Sequence, residues 1–340
     1  MSKPTLVIKF GTASLTRENG EPDEQIIAQI AKEVAILAQD HQLVLVSSGA
    51  VGAGKQYIKG YQGEITQRKA AAAIGNPILL GMYAKYLAPF GLSVAQSLCE
   101  RQHFAQREQF LQLKETYQTL WENGIIPIAN ENDVVSNREL KFSDNDELAT
   151  LIAVGFGASA LLICTQSGGL LNEEKKIIPH VSKITEEVMQ WVAPSKSTLG
   201  TGGMASKLTF TKLATQLGIK TIIFGMKQGI LAAFNEKAGT VFSPQEASLP
   251  ARLKWLASGS LTQGAVRIDD GAVQALLRRN SLLAVGITEV LGDFTTGEIV
   301  EVQDQSGQPI AVARVRASST SLASKATNLL AAHADDIVLR

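Results

Sequence analysis

The sequence predicts an α/β fold with a mainly parallel central sheet, followed by a small β-rich domain. Three observations carry this. Up to about residue 245, short β-branched runs alternate with longer segments of helical periodicity, the pattern of a parallel sheet covered on both faces. Beyond about residue 260 helical periodicity thins out. Turn glycines recur there (Gly264, Gly271, Gly286, Gly292, Gly297, Gly307) between short strands. The length, 340 residues, leaves room for two domains of roughly 100–200 residues each.

The elements follow in order. "TLVIKF", residues 5–10, is a β-branched run ending at Lys9, Phe10 and Gly11. Residues 23–39 carry apolar residues at helical spacing (Ile26, Ile27, Ile30, Val34, Leu37), with Asp23 placed to cap them. Strand "LVLVSS" comes next, and the alternation repeats. "SVAQSL" follows a long helical stretch, "IIPIAN" follows the helical segment 107–122, and "ALLICT" follows the helix opened by "SDNDELATLIAVGFG". "TIIFG" follows the helix after Met204. "SPQEASLPARLKWLASGS" reads as a connection. "EIVEVQD" and "IAVARVR" are strands of the second domain.

Composition narrows the function. Formal net charge is zero, so no bulk attraction to nucleic acid or to an anionic membrane is implied. The two cysteines, Cys99 and Cys164, sit in apolar surroundings and read as small buried hydrophobes of a reducing compartment. The four histidines are scattered and do not form a zinc-binding pattern. No signal-like or membrane-spanning run is apparent, so a cytoplasmic enzyme is expected.

One stretch looks like a nucleotide site. In "SSGAVGAGKQ", Gly49, Gly54 and Lys55 match P-loop spacing, but Gln56 stands where a Ser or Thr should hold Mg²⁺. A broader inventory comes from the topology, because ligands in open parallel sheets bind beyond the carboxyl ends of the strands. Those ends carry Lys9, Gly11, Thr12 and Ser14, and then Ser47, Ser48, Gly49 and Ala50. They also carry Glu131, Asn132 and Asp133, with Thr165, Gln166, Ser167, Gly168 and Gly169 further on. Two helix starts add Asp144, Asn145 and Asp146 and the run Thr201, Gly202, Gly203, Met204, Ala205, Ser206 and Lys207. Glycine turns and helix N-termini bind anions, and lysines neutralise phosphate oxygens. Phosphoryl transfer needs mainly positioning and charge stabilisation, which this set supplies. Taken singly, each feature also has a plain structural role: Asp144 as a helix cap, Asp133 in a turn, Lys9 as a solvated charge.

The segments "VIKFGTASL", "SSGAVGAG", "NENDVV", "FSDNDELA" and "GTGGMASKL", in that order, resemble the glutamate 5-kinases of the amino acid kinase superfamily. "VRIDDGAVQALLRRNSLLAVGITEVLGDFTTGEIVEV" resembles the PUA domain that many of them carry. The resemblance implies a three-layer amino acid kinase fold over residues 1–255 and a PUA-like domain over 262–340. It implies ATP-dependent phosphorylation of the side-chain carboxylate of L-glutamate to γ-glutamyl phosphate, the first step of proline biosynthesis, with Mg²⁺ riding on the ATP phosphates. Lys9, Asp146 and Lys207 would be catalytic, the two lysines flanking the phosphoryl group and Asp146 holding them. Ser48, Gly49, Ala50, Asp133 and Asn145 would bind glutamate. Lys9, Gly11, Thr165, Gln166 and the run Thr201, Gly202, Gly203, Met204, Ala205, Ser206 and Lys207 would line the nucleotide. No dedicated metal ligand is implied. The turn after the second strand then serves the amino acid, not ATP, and Lys55 is a solvated charge beyond it.

The resemblance also brings in proline as a feedback inhibitor, a glutamyl phosphate reductase as consumer of the product, and a homo-oligomer. The chain departs from the family pattern at Gln166, where the usual residue is Asp, at Ser143, where it is Gly, and in the short loop after Gln166. Rival readings are another amino acid kinase, acting on acetylglutamate, carbamate or isopentenyl phosphate, and an RNA-binding PUA protein with a degenerate kinase domain. The slightly acidic balance of the tail argues against RNA.

Overall fold

The computed structural model describes residues 3–17, 19–135, 144–192, 203–245, 262–324 and 328–339. The chain divides into two compact units, Met1–Glu100 with Lys114–Ala247 and Arg101–Leu113 with Ser248–Arg340.

In chain order the elements up to residue 242 are β1 (Thr5–Phe10), α1 (Thr12–Leu15), α2 (Glu24–Leu37), β2 (Gln42–Ser47), α3 (Ala50–Gly54), α4 (Ile65–Leu87), β3 (Ser93–Cys99), α5 (Gln102–Ala105), α6 (Arg107–Glu122), β4 (Ile125–Glu131), α7 (Asn145–Phe156), β5 (Ala160–Cys164), β6 (His180–Val181), α8 (Glu186–Gln190), α9 (Met204–Gln216), β7 (Lys220–Phe224), α10 (Ile230–Phe234) and β8 (Thr240–Phe242). Among the described residues the strands form one sheet in the order β3-β4-β2-β1-β5-β7-β8-β6. The stretch from β3 to β7 is parallel throughout. β8 runs antiparallel to β7, and β6 runs parallel to β8.

The sequence explains why β1 is central. All six of its residues are buried, as expected of a strand with helices on both faces. The chain leaves β1 for β2 on one side and returns at β5 on the other, so a topological switch point lies at the end of β1. Register brings three strand ends level, with Phe10 opposite Ser47 on β2 and Cys164 on β5. Ala129 of β4 pairs with Val46, so Asn130 lies beside the same edge.

Two helices show how the layers are held. In α2, Ile27, Ile30, Val34 and Leu37 face the core, and Asp23 caps the helix by accepting from the Gln25 N–H. Within α4, Ala72, Leu79, Tyr83 and Leu87 form a buried stripe, spaced seven, four and four residues apart, all on one helix face. Both cysteines are buried, and burial pushes each thiol up to about 11, which removes them as nucleophiles at neutral pH.

The second unit contains a five-stranded sheet and a small two-stranded one. The strands are β9 (Thr262–Ile268), β10 (Leu282–Leu283), β11 (Ile287–Leu291), β12 (Ile299–Gln303), β13 (Pro309–Arg314), β14 (Leu330–Ala332) and β15 (Ile337–Leu339). The larger sheet has the order β11-β9-β12-β13-β15, and β10 pairs with β14. Alternate residues Val266 and Ile268, Val300 and Val302, and Ala311 and Ala313 point into one core. Asp336 is buried beside it. Its charge is met by Arg316 at 2.8 Å and Arg314 at 3.2 Å.

The glycines after β2 have a packing role. Gly49 takes a left-handed backbone (φ 104°) and starts α3, which lets the chain turn sharply off the sheet edge. A Cβ on Gly54 would fall 1.9 Å from the Ala71 carbonyl oxygen, and one on Gly75 would fall 1.7 Å from that of Ala50. The backbones of α3 and α4 therefore touch. Gly54 is fully occupied by helix packing, and Lys55 lies at the far end of α3, part-exposed, next to Gly20. The P-loop spacing is thus a coincidence of a helix-packing glycine and a following lysine. Gly75→Ala is expected to destabilise the fold by at least about 1–3 kcal/mol. Gly81→Ala, on the same helix with nothing within 4 Å of the new methyl, should instead gain up to about 1 kcal/mol of helix propensity. Urea unfolding of the two variants checks the pair, and equal midpoints would refute the close-packing account.

Candidate active site

The candidate site lies at the carboxyl edge of the sheet, where the ends of β1, β2, β4 and β5 meet the N-terminal turns of α7 and α9. Asp144 caps α7 by accepting from the N–H groups of Asp146 (2.9 Å) and Glu147 (3.2 Å). That cap fixes the next two side chains, Asn145 and Asp146, at the first turn. A carboxylate there also gains from the helix dipole.

Asp146 has no solvent exposure and lies between two lysines. Lys9 Nζ, from β1, is 2.6 Å from Oδ1, and Lys207 Nζ, from α9, donates to Oδ2 at 2.9 Å. The lysines themselves are only 4% and 6% exposed. Burial alone would raise the Asp146 pKa, but the two ammonium groups outweigh it and hold the carboxyl below its ordinary value. The trio carries one net positive charge in a nearly dry place.

The second acidic group is different. Burial and then the neighbouring Asp146 charge push Asp144 above its ordinary value, partly offset by the Ser206 hydroxyl. Ser206 Oγ donates to Asp144 Oδ2 at 2.5 Å, which ties the first turn of α9 to the cap of α7. α9 itself begins at Gly203. Among the described residues no side chain caps this start, a helix N-terminus of the kind that suits an anion, and Lys207 lies one turn further on.

Toward β2 and β4 the site turns to neutral polar groups. Asn145 Nδ2 donates to Ser48 Oγ at 2.9 Å and to Asn130 Oδ1 at 2.8 Å. Asn145 Oδ1 is buried and has no hydrogen-bond partner among the described residues. Ser48 N donates to the Phe10 carbonyl at 3.0 Å, which locks the turn containing Ser48, Gly49 and Ala50 to the end of β1. Asp133 lies in the turn after β4, half-buried, near Asn132, whose Nδ2 donates to Glu100 at 2.9 Å.

On the opposite side, Thr165 N donates to the Phe224 carbonyl at 2.7 Å, and Gln166 is exposed with Nε2 donating to the Ala13 carbonyl at 2.9 Å. Gly11 follows β1 close to Lys9. The structure therefore brings together Lys9, Asp146 and Lys207, and links Ser48 to Asn145. Gly203, Met204, Ala205 and Ser206 fall on the start of α9. Thr201 and Gly202 lie outside the described residues, as does Ser143. Sequence reasoning missed Asn76 and Asn130. Asn130 Nδ2 donates to Asn76 Oδ1 at 2.9 Å, which carries the hydrogen-bond chain from the site into α4. The apolar stripe through Ala72, Leu79 and Tyr83 was the available signal that Asn76 faces inward.

The chemistry this permits is anion handling. Two lysines and the N-terminus of α9 lie at one end of the site, with amide and hydroxyl groups at the other. Both oxygens of Asp144 and both of Asp146 are already engaged. These residues fit a divalent metal carried in on nucleotide phosphates better than a protein-built metal cage.

Comparison with known proteins gives the family. The sequence profile of the amino acid kinase family matches residues 4–225, and that of the PUA domain matches residues 264–332. A glutamate 5-kinase of Haemophilus influenzae (strain PittGG) is 37% identical over 336 residues, covering 95% of this chain and 91% of its own. A glutamate 5-kinase of Moorella thermoacetica is 37% identical over 322 residues, covering 90% and 84%. Among solved structures, a carbamate kinase of Giardia aligns with a TM-score of 0.52 at 20% identity, over 72% of this chain and all of that one, a likeness of fold. With relatives matching along nearly its whole length and a family profile covering β1 to β7 and both lysines, this chain belongs to the amino acid kinase family and carries a PUA domain after the kinase fold.

Proposed function

We propose that this chain transfers the γ-phosphoryl group of ATP to the side-chain carboxylate of L-glutamate, giving γ-glutamyl phosphate and ADP. The observation that carries the reading is the buried Lys9–Asp146–Lys207 trio at the switch point of the sheet. The match to glutamate 5-kinases over nearly the full chain supports the choice of substrate.

The reaction needs no strong base. The glutamate side chain has an unperturbed pKa of about 4.3 and is ionised at neutral pH. One of its oxygens attacks the γ-phosphorus, and the bond to the β,γ-bridging oxygen breaks, leaving ADP. The obstacle is charge, since an anion must approach a polyanion. Lys9 and Lys207 offset that repulsion, and Asp146 fixes where their ammonium groups sit. Mg²⁺, when bound with the nucleotide, neutralises phosphate charge. The nucleotide side comprises Gly11, Thr165, Gln166 and the run from Thr201 to Lys207. The amino acid side comprises Ser48, Gly49, Ala50, Asp133 and Asn145. Asp133 faces the substrate ammonium, and Ser48 a carboxylate.

The product is an acyl phosphate, which a glutamyl phosphate reductase consumes on the route to proline in the cytoplasm. Proline shares the α-ammonium and α-carboxylate of glutamate but has no carboxylate to phosphorylate. It inhibits at a site overlapping that of glutamate, near Asp133 and Asn145. Part of that stretch, residues 136–143, lies outside the described residues. The kinase domain is assigned to residues 1–255 and the PUA-like domain to 262–340, with a homo-oligomer as the working assembly.

Four outcomes test this. Lys9→Ala and Lys207→Ala should each lower glutamate-dependent ADP release by on the order of 10²–10³, and near-normal turnover by either variant would remove that lysine from the mechanism. Asp133→Ala should raise the glutamate KM far more than the ATP KM, and the reverse would show that the two halves of the site are assigned the wrong way round. Proline inhibition should be relieved by high glutamate in the full-length chain. A chain cut near residue 258 should still phosphorylate glutamate, since every proposed catalytic residue precedes that point. The cut divides the unit that includes Arg101–Leu113, so circular dichroism of the truncated chain comes first, and a folded but inactive product would contradict the assignment.

A further inference from the structure

We infer that Asn76, in the interior of α4, is a positioning residue: by accepting from Asn130 it holds that amide, and through it the glutamate-binding groups Asn145 and Ser48, in place. The inference rests on the reading that Ser48 and Asn145 hold glutamate. Asn76 is buried on a helix face otherwise lined by Ala72, Leu79 and Tyr83. A buried amide in an apolar stripe costs free energy unless its hydrogen bonds are used. Here they begin a one-way chain. Asn130 Nδ2 donates to Asn76 Oδ1 at 2.9 Å. Asn130 Oδ1 accepts from Asn145 Nδ2 at 2.8 Å, and Asn145 Nδ2 also donates to Ser48 Oγ at 2.9 Å.

The direction of this chain follows from a backbone group. The Glu131 N–H donates to Asn130 Oδ1 at 2.9 Å. A backbone N–H cannot be reversed, so the oxygen of Asn130 is fixed on the side facing Asn145. Its NH₂ group must then face Asn76, which has to present oxygen. On the other side, Asn145 must present its NH₂ group to Asn130 and Ser48. Two consequences reach the substrate. Ser48 Oγ accepts from Asn145, so its O–H is left to donate to a carboxylate. Asn145 Oδ1, buried and without a partner among the described residues, is left to accept from an ammonium group. The reversed chain would turn an NH₂ group toward the ammonium and draw the Ser48 proton into the protein.

Asn76 Nδ2 lacks a partner among the described residues. The same asparagine borders a cavity of about 10 Å³ shared with Ser47, Gln96 and Asn130. That is room for one water centre; Leu79, Leu80 and Ile128 line it too, and Ser47, Asn76, Gln96 and Asn130 are the polar partners a water there would use. Such a water can turn to donate or accept, so the chain depends on the oxygen of Asn76 more than on its nitrogen.

The test compares two near-isosteric variants of the full chain. Asn76→Leu removes the acceptor and leaves Asn130 Nδ2 unsatisfied, whereas Asn76→Asp keeps an acceptor there. Asn76→Leu should raise the glutamate KM about tenfold or more while the ATP KM stays within about threefold, and Asn76→Asp should return the glutamate KM to within about threefold of the parent. Thermal melts accompany the kinetics. If Asn76→Leu does not fold, Asn76→Ala carries the same test, with a smaller rise expected because water can enter. A folded Asn76→Leu or Asn76→Ala with the parent glutamate KM overturns the inference. Equal losses in the Leu and Asp variants, or parallel changes in both KM values, would show a merely structural asparagine and overturn it too. Ser48→Ala separates the two levels. If it raises the glutamate KM and Asn76→Leu does not, only the inference fails; if neither does, the placement of glutamate fails with it.

Discussion

A single buried carboxylate, Asp146, holds two ammonium groups that would otherwise repel each other. Lys9 arrives on the central strand, Lys207 on α9, and Asp146 on the first turn of α7. Three elements far apart in sequence therefore converge on one charge. Burying ions is costly, and removing one partner of such a group leaves uncompensated charge in a dry place. The arrangement persists because the cap at Asp144 and the Ser206 hydrogen bond fix both helix starts independently of the trio. What results is a rigid positive centre at the point where the sheet order reverses. The same feature satisfies a folding constraint and, on the proposed function, would meet the requirement of moving a phosphoryl group between anions.

The other half of the site is organised by close backbone packing and neutral hydrogen bonds. Gly54 and Gly75 let α3 and α4 touch, which sets the position of Ala50 and hence of the turn after β2. The contact also brings α4 near enough for Asn76 to reach Asn130, and for the Tyr83 hydroxyl to meet Ser47 at 3.1 Å. Charge is concentrated at the end we propose for phosphate, and directional neutral donors and acceptors lie at the end proposed for the amino acid. An amino acid with both an ammonium and carboxylates needs recognition by sign and direction, and on the proposed placement an amide chain of fixed polarity would supply that without adding net charge.

Much of this was legible in the sequence, for local reasons. "TLVIKF", "LVLVSS" and "ALLIC" are apolar on both faces, so they read as parallel interior strands, and "SDND" reads as a helix cap because Asp144 does cap α7. Lys9, Asp146 and Lys207 were nominated by falling on one predicted edge together with the family resemblance. Harder to see were features that depend on distant partners. β6 and β8 have two and three residues, too short for any periodicity, so the antiparallel end of the sheet carried no local signal. Lys55 imitated a P-loop because the spacing of Gly49 and Gly54 reflects a turn and a helix contact. Asn76 looked like any polar helix residue until Ala72, Leu79 and Tyr83 placed it on the inner face.

The account turns on Asp146 keeping the two lysines in place for the transferring phosphoryl group. The most direct measurement is the kcat of Asp146→Asn at saturating glutamate and ATP, on protein shown by circular dichroism to be folded. Asparagine keeps the size and one acceptor oxygen but removes the charge that holds both ammonium groups. The expected result is a fall in kcat of on the order of 10²–10³. A folded variant turning over near the parent rate would contradict the central role given to this carboxylate.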